Sequence, residues 1–268
     1  MRVITWNCRR ATKEKDIWKH LQELSPDIML LEEVSSFPNW IENNYIYKYE
    51  KSSTKNNVKQ RFGNLLAHNG GKIQEIELTT ELAWVNKELK RFKGNLLSYK
   101  IKLNSSTLRL ISVYSPAWPL NSDLLKQEQI GSVKLTQNKE LWLADLLWYA
   151  LKCNINPNEY YIIGGDFNLS ITFDSCWGKN PRGNQEYLDR MRKIGLIECL
   201  KEYNGRLIPT FKNMANGKIL HQMDHLFATT KLYAKINDCH VGDESVIYRN
   251  KLSDHLPIIA DFNINEGI

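Results

Sequence analysis

Polar side chains able to do chemistry recur at the ends of apolar runs in this sequence. Asn7 follows RVITW, Glu33 closes the run begun by IMLLE, and Tyr114 follows LISV. Asp166 and Asn168 follow YIIGG, Asp224 stands in QMDHLFAT, and Asp254 with His255 precedes LPIIADF. One such residue reads as a turn former. Their recurrence asks for another account, because strand ends in layered α/β sheets are where side chains distant in sequence converge on one pocket.

The residue types are coherent. Glu33, Asp254 and Asn7 offer hard oxygen ligands suited to Mg²⁺ or Mn²⁺, whereas a zinc site calls for His or Cys clusters. An Asp or a His can orient a water, and Tyr, Asn and a cation can hold phosphate oxygens, so the set suits phosphoryl chemistry. His221 and His225 have the spacing of helical zinc proteases, but Gln222 replaces the required Glu and the segment reads as a strand. Taken alone, Asp224 reads as a buried acid with a backbone partner, and Cys8 as a packed thiol.

These residues need elements to hold them. Residues 2–7 and 27–31 read as strands around a helix at 13–24, and the unbroken IMLL predicts burial on both faces. Residues 64–67, 72–78, 95–103 and 108–114 read as strands joined by hairpins, with the polar stretch 51–60 as a loop. Residues 139–151 and 184–194 read as helices, the second stopped by Gly195, and strands follow near 222–229 and 258–263. The order predicts a mixed α/β layered sandwich, with residues 1–268 forming one domain.

With 42% hydrophobic and 10% aromatic residues the chain can bury a sizeable core, which excludes a disordered or fibrous class. The formal charge of +6 favours a polyanionic partner. Five widely spaced cysteines without a C-x-x-C pair argue against a disulfide framework. The longest apolar run, residues 146–151, is too short for a membrane span, so the expected setting is cytoplasmic with no membrane partner. Oligomeric state leaves no signal.

Six segments, in order, carry a resemblance: WN at 6–7, PDIMLLEEV at 26–34, VYSP at 113–116, GGDFN at 164–168, MDHLF at 223–227 and SDHLP at 253–257. Together they resemble the endonuclease/exonuclease/phosphatase superfamily of deoxyribonuclease I and exonuclease III type. The resemblance implies a four-layer α/β/β/α sandwich with its site where loops at one end of the two sheets meet. It implies that Glu33, helped by Asn7 and Asp254, binds Mg²⁺, with Mn²⁺ able to substitute. It also implies that His255, oriented by Asp224, contacts the scissile phosphate or assists proton transfer, that Asp166 with Asn168 positions the attacking water, and that Tyr114 hydrogen-bonds the phosphate.

The implied function is a Mg²⁺-dependent nuclease acting on DNA or RNA; the alternative is a phosphatase or phosphodiesterase on inositol phosphates or phospholipid head groups. Relatives of the alternative kind commonly carry a His where Tyr114 stands. A catalytically dead binding module is disfavoured because every motif position keeps its functional residue. Glu32-Glu33-Val34-Ser35 lacks the lysine of exonuclease III-like repair enzymes, and Arg9 is closer to deoxyribonuclease I, which weighs against abasic-site specificity. Arg9, Trp118 and Arg182, with Lys179 and Lys212, are the candidates to grip a nucleic-acid backbone or stack on a base.

Overall fold

The computed structural model describes residues 1–103, 106–176 and 183–264; Lys179 and Arg182 lie outside them. Among the described residues the strands are β1 (Arg2–Ala11), β2 (Ile28–Val34), β3 (Ile46–Ser53), β4 (Lys59–His68), β5 (Ile73–Glu75), β6 (Leu96–Lys102) and β7 (Thr107–Tyr114). They continue with β8 (Tyr160–Asp166), β9 (Leu196–Glu198), β10 (Phe211–Lys212), β11 (Ile219–His221), β12 (Asp224–Thr229), β13 (Ile236–Val241) and β14 (Ile258–Phe262). One sheet runs β13-β14-β1-β2-β4-β3, a second runs β5-β6-β7-β8-β12-β9, and β10 and β11 form a separate ribbon.

Side-chain alternation explains the unbroken apolar runs. In β2, Ile28 and Leu30 face the second sheet, while Met29 and Leu31 face a helical layer, and all four are fully buried. In β8, Ile162 joins the layer between the sheets and Ile163 the layer outside them. Three apolar layers result. The inner one joins Val3, Leu30, Leu110, Ile162, Leu226 and Ile258 from both sheets. Outside the first sheet lie Ile17 and Leu21 of the helix Ile17–Glu23 and Ile247 of the helix Glu244–Arg249. Outside the second lie the helices Ala83–Arg91, Leu143–Asn154 and Asn184–Lys193, through Val85, Leu147 and Met191. Each fully buried aliphatic side chain contributes about 1.5–3 kcal/mol relative to exposure. The fold is a four-layer α/β/β/α sandwich of deoxyribonuclease I type.

The expected succession of hairpins is corrected in two places. β4 pairs with β2 and β3 in the first sheet, whereas β5 pairs with β6 in the second, so the chain changes sheets at residues 69–72. The helix Ala83–Arg91 also separates β5 from β6; its buried apolar stripe is only Val85 and Leu89, too little to stand out in sequence. The stretch read as a loop at 51–60 is loop only at residues 54–58, with β3 and β4 taking the residues on either side. The helix read from residue 139 begins at Leu143, where the Asp145 carboxylate accepts a bond from the Trp142 amide at 2.8 Å. Gly195 ends the helix Asn184–Lys193 with φ 84°, as expected of a left-handed cap.

Both glycines of GGD have a steric reason. A Cβ on Gly164 would meet Leu226 Cδ1 at 2.8 Å and Leu30 Cδ1 at 3.0 Å, inside the inner apolar layer. A Cβ on Gly165 would lie 1.9 Å from the Val113 carbonyl oxygen, because φ is 150° where β8 runs beside β7.

Candidate active site

Strand register sets half of the site in one row. Tyr114 ends β7, Asp166 ends β8 and Asp224 begins β12; the register pairs Tyr114 with Asp166, and Asp166 with Asp224. The first sheet supplies the other half less regularly. The β1–β2 register shifts between Asn7 and Ala11, and Arg9, Arg10 and Glu33 adopt φ of 49°, 58° and 51°. This bulge turns consecutive side chains toward the same opening. Asp254 and His255 lie in the loop before β14, held where the Leu256 amide donates to the Thr210 carbonyl at 2.7 Å and the Trp6 indole donates to the His255 carbonyl at 2.8 Å.

Hydrogen bonds fix most of these groups. The Asp224 carboxylate sits 2.8 Å from His255 Nδ1 and accepts from the Thr210 hydroxyl at 2.6 Å, which leaves Nε2 as the ring nitrogen for the cleft. The Ser253 hydroxyl donates to the Asn7 carbonyl at 2.7 Å and accepts from the His255 amide at 3.1 Å. Asp166 accepts from the side-chain amides of Asn7 and Asn168, both at 3.0 Å, and from the Asn168 backbone amide at 2.9 Å. Asn168 also donates to the Ser115 carbonyl at 2.8 Å from a backbone with φ 48°. The Tyr114 hydroxyl donates to Glu33 Oε1 at 3.1 Å.

Electrostatics follow from burial. Burial opposes a charge on His255, but the Asp224 carboxylate, with Asp166 and Asp254, outweighs it and raises the imidazolium pKa to about 10. Burial raises Asp166 to about 7; His255 pulls it down and Asp224 pushes it up. Burial first, then Glu33 and Asp166, holds the Tyr114 phenol far above its ordinary value, so it remains a donor. Cys8 is likewise pushed well up by burial, which suits a packed thiol.

Asn7, Arg9, Glu33, Tyr114, Trp118, Asp166, Asn168, Asp254 and His255 line one open cleft of about 570 Å³, with Asp224 behind His255. Lys212 lies apart from that lining, with its ammonium 4.9 Å from the centre of the Tyr248 ring. Arg10, Gln60, Phe211 and Met223 also line the cleft and were missed in the sequence reading. Arg10 follows Arg9 directly and offered a signal; Phe211, centred 4.9 Å from the His255 ring, offered none. A buried carboxyl group was missed as well. Glu32 lies beneath Glu33, between Thr5 and Ser112 hydroxyls at 3.4 Å, and burial, with Asp224 and Asp166, raises its pKa well above the usual range.

Two groups of side chains invite a cation. Asp166, Asp224 and His255 bring ligand atoms within 4.8 Å of one another, but Asp224 is already engaged by His255 and Thr210, and this closeness is that of a hydrogen-bonded pair and its neighbour. Glu33, Asp254 and Asn7 line the cleft with carboxylate and amide oxygens, a hard donor set without His or Cys.

No curated protein matches the sequence. Solved structures share the fold. An AP endonuclease from Archaeoglobus fulgidus superposes with a TM-score of 0.68 at 19% identity, covering 98% of this chain and 100% of that one. The catalytic domain of Xenopus laevis APE2 gives 0.67 at 17%, covering 99% and 93%. A 3'-5' exonuclease from Neisseria meningitidis gives 0.64 at 14%, covering 98% and 100%. The model of the Endonuclease/Exonuclease/phosphatase family matches residues 4–255, through every strand that lines the cleft. The chain therefore belongs to the endonuclease/exonuclease/phosphatase family.

Proposed function

We propose that this chain is a single-domain, divalent-cation-dependent nuclease that hydrolyses phosphodiester bonds of DNA or RNA. One observation carries the reading: the His255–Asp224 pair and the thrice hydrogen-bonded Asp166 face the cleft that Glu33, Asn7 and Asp254 line. Glu33, with Asn7 and Asp254, holds the cation; Mg²⁺ suits these ligands and Mn²⁺ can replace it. When bound, the cation neutralises charge developing on the phosphate.

Asp166, with Asn168 beside it, orients and deprotonates the attacking water, and a pKa near 7 suits a base at neutral pH. His255, charged and fixed through Nδ1 by Asp224, contacts the phosphate from Nε2. The Tyr114 hydroxyl donates to a phosphate oxygen. The nucleic-acid reading rests on Arg9, on Trp118 at the cleft and on the +6 charge, and structural neighbours named as an endonuclease and an exonuclease support it. Reduced cysteines fit a cytoplasmic setting: Cys8, Cys153, Cys199 and Cys239 are all free thiols.

The test is an activity panel with Mg²⁺, Mn²⁺, Zn²⁺ or excess EDTA over single- and double-stranded DNA, abasic DNA, RNA and inositol phosphates. Cleavage of an oligonucleotide that EDTA abolishes is expected. Full activity in EDTA, or turnover of inositol phosphates alone, overturns the reading.

A further inference from the structure

Two consecutive arginines are paired with the two carboxylates assigned to the cation. Arg9 Nε lies 3.5 Å from Asp254 Oδ2, and Arg10 Nε lies 3.5 Å from Glu33 Oε2. In a regular strand, neighbours point to opposite faces; the bulge after Asn7, with both residues left-handed, sends both guanidinium groups to the cleft. A non-glycine residue in that conformation is uncommon, and two in succession require tertiary support. Arg10 has such support, since its guanidinium lies 5.2 Å from the centre of the Phe62 ring. The exposures give the arrangement a direction. The arginine side chains are 42% and 69% exposed, whereas those of Asp254 and Glu33 are 19% and 16% exposed, so the cations lie on the solvent side of the carboxylates.

The geometry points to Arg9 and Arg10 as an exchangeable counter-cation pair that couples metal entry to capture of a substrate phosphate. A divalent cation and a guanidinium compete for the same carboxylate oxygens. An arginine displaced from Glu33 or Asp254 keeps its full charge and its place at the cleft mouth, where a polyanion arrives, and guanidinium groups suit phosphate oxygens. No bond is made or broken; the step exchanges one ion pair for another. Because exposed ion pairs are weak, the exchange costs little and is reversible. The same two residues therefore oppose the cation when it binds alone and favour the nucleic acid once the cation is in place.

This inference rests on the proposed cation site, and the experiment separates the two. Mn²⁺ binding is measured from the free-Mn²⁺ electron paramagnetic resonance signal in wild type and in Glu33→Gln, Arg9→Gln and Arg10→Gln. Binding of a labelled 20-mer oligonucleotide is then followed in Mn²⁺ at several salt concentrations, with every variant carried in a His255→Ala background. Each arginine variant is expected to bind Mn²⁺ about two- to fivefold more tightly, the scale of a lost exposed ion pair. Each is also expected to bind the oligonucleotide more weakly, with a log-log salt slope shallower by about 0.7 to 0.9. Opposite signs in the two measurements are the signature, since a merely structural arginine weakens both. Equal Mn²⁺ binding by wild type and Glu33→Gln would sink the cation site itself. Glu33-dependent binding that Arg9→Gln and Arg10→Gln leave unchanged or weaker overturns the exchange and leaves the cation site standing.

Discussion

The two sheets contribute to the cleft in different ways. The second sheet ends three neighbouring strands in register, so Tyr114, Asp166 and Asp224 form a buried row, with Asp166 and Asp224 only 2% and 1% exposed. The first sheet reaches the same place through a bulge and a loop. Arg9, Arg10 and Glu33 are all left-handed, and Asp254 and His255 stand outside any strand. Hydrogen bonds that join the halves include Asn7 to Asp166, Tyr114 to Glu33, and His255 to Asp224. Orienting a water and a ring nitrogen calls for fixed geometry, which a strand register supplies. Taking up and releasing a cation calls for ligands near solvent, and Glu33 and Asp254, at 16% and 19% exposed, are the more open of the site's carboxylates.

Substitutions can break this division. Asp166→Asn and His255→Ala are expected to cost about 10² to 10⁴ in turnover, the scale of a lost acid–base or orienting group. Asp166→Asn should retain Mn²⁺ affinity, whereas Glu33→Gln should lose affinity and turnover together; loss of Mn²⁺ binding in Asp166→Asn would erase the distinction. Asp224→Asn should lose less turnover than His255→Ala on the proposed roles, in which Asp224 acts only through its bond to His255 Nδ1.

Gly164→Ala tests the apolar seam between the sheets. Its Cβ would press on Leu226 and Leu30, and overpacking costs about 1–3 kcal/mol in denaturant unfolding. Mn²⁺ affinity at temperatures where the variant stays folded should not change.

A pH dependence sharpens the comparison from the far end of the first sheet. His68 is buried there, accepting a bond from the Gly70 amide, and burial lowers its pKa to about 4. A depressed histidine is neutral in the fold, so its stabilising contribution is complete above the unfolded pKa near 6.5 and is lost as pH falls toward about 4. Unfolding measured at pH 7 and at pH 4.5 should therefore show an acid loss that is smaller in His68→Gln than in wild type.

The parts of the fold that read clearly in sequence are those buried on both faces. IMLL and YYII carry no polar interruption because each strand lies between two apolar layers. Elements with one wet face were harder to see. The edge strand β3, IYKYEKSS, sets half-exposed tyrosines among charges, and the helix Ala83–Arg91 buries too few apolar groups to print a period. The candidate residues stood out because a strand end leaves a motif of fixed spacing. Thr210, which donates to Asp224, and Ser253, which ties the Asn7 carbonyl to the His255 amide, are common residue types in loops, and only the folded chain gives them partners. Arg10 follows Arg9 directly, but the bulge that turns both toward the cleft is a backbone event without a side-chain signature.

The bond from the Trp6 indole to the His255 carbonyl spans 249 positions of sequence. β1 also takes β14 as one of its two neighbours, so residues 2–5 wait for residues 258–261. A nascent chain halted before residue 255 can already own the acids of the second sheet, yet it lacks the ring they surround and the strand that closes the first sheet. Such long-range closure is slow relative to local pairing. The cleft is therefore complete only when residues 254–262 have joined β1.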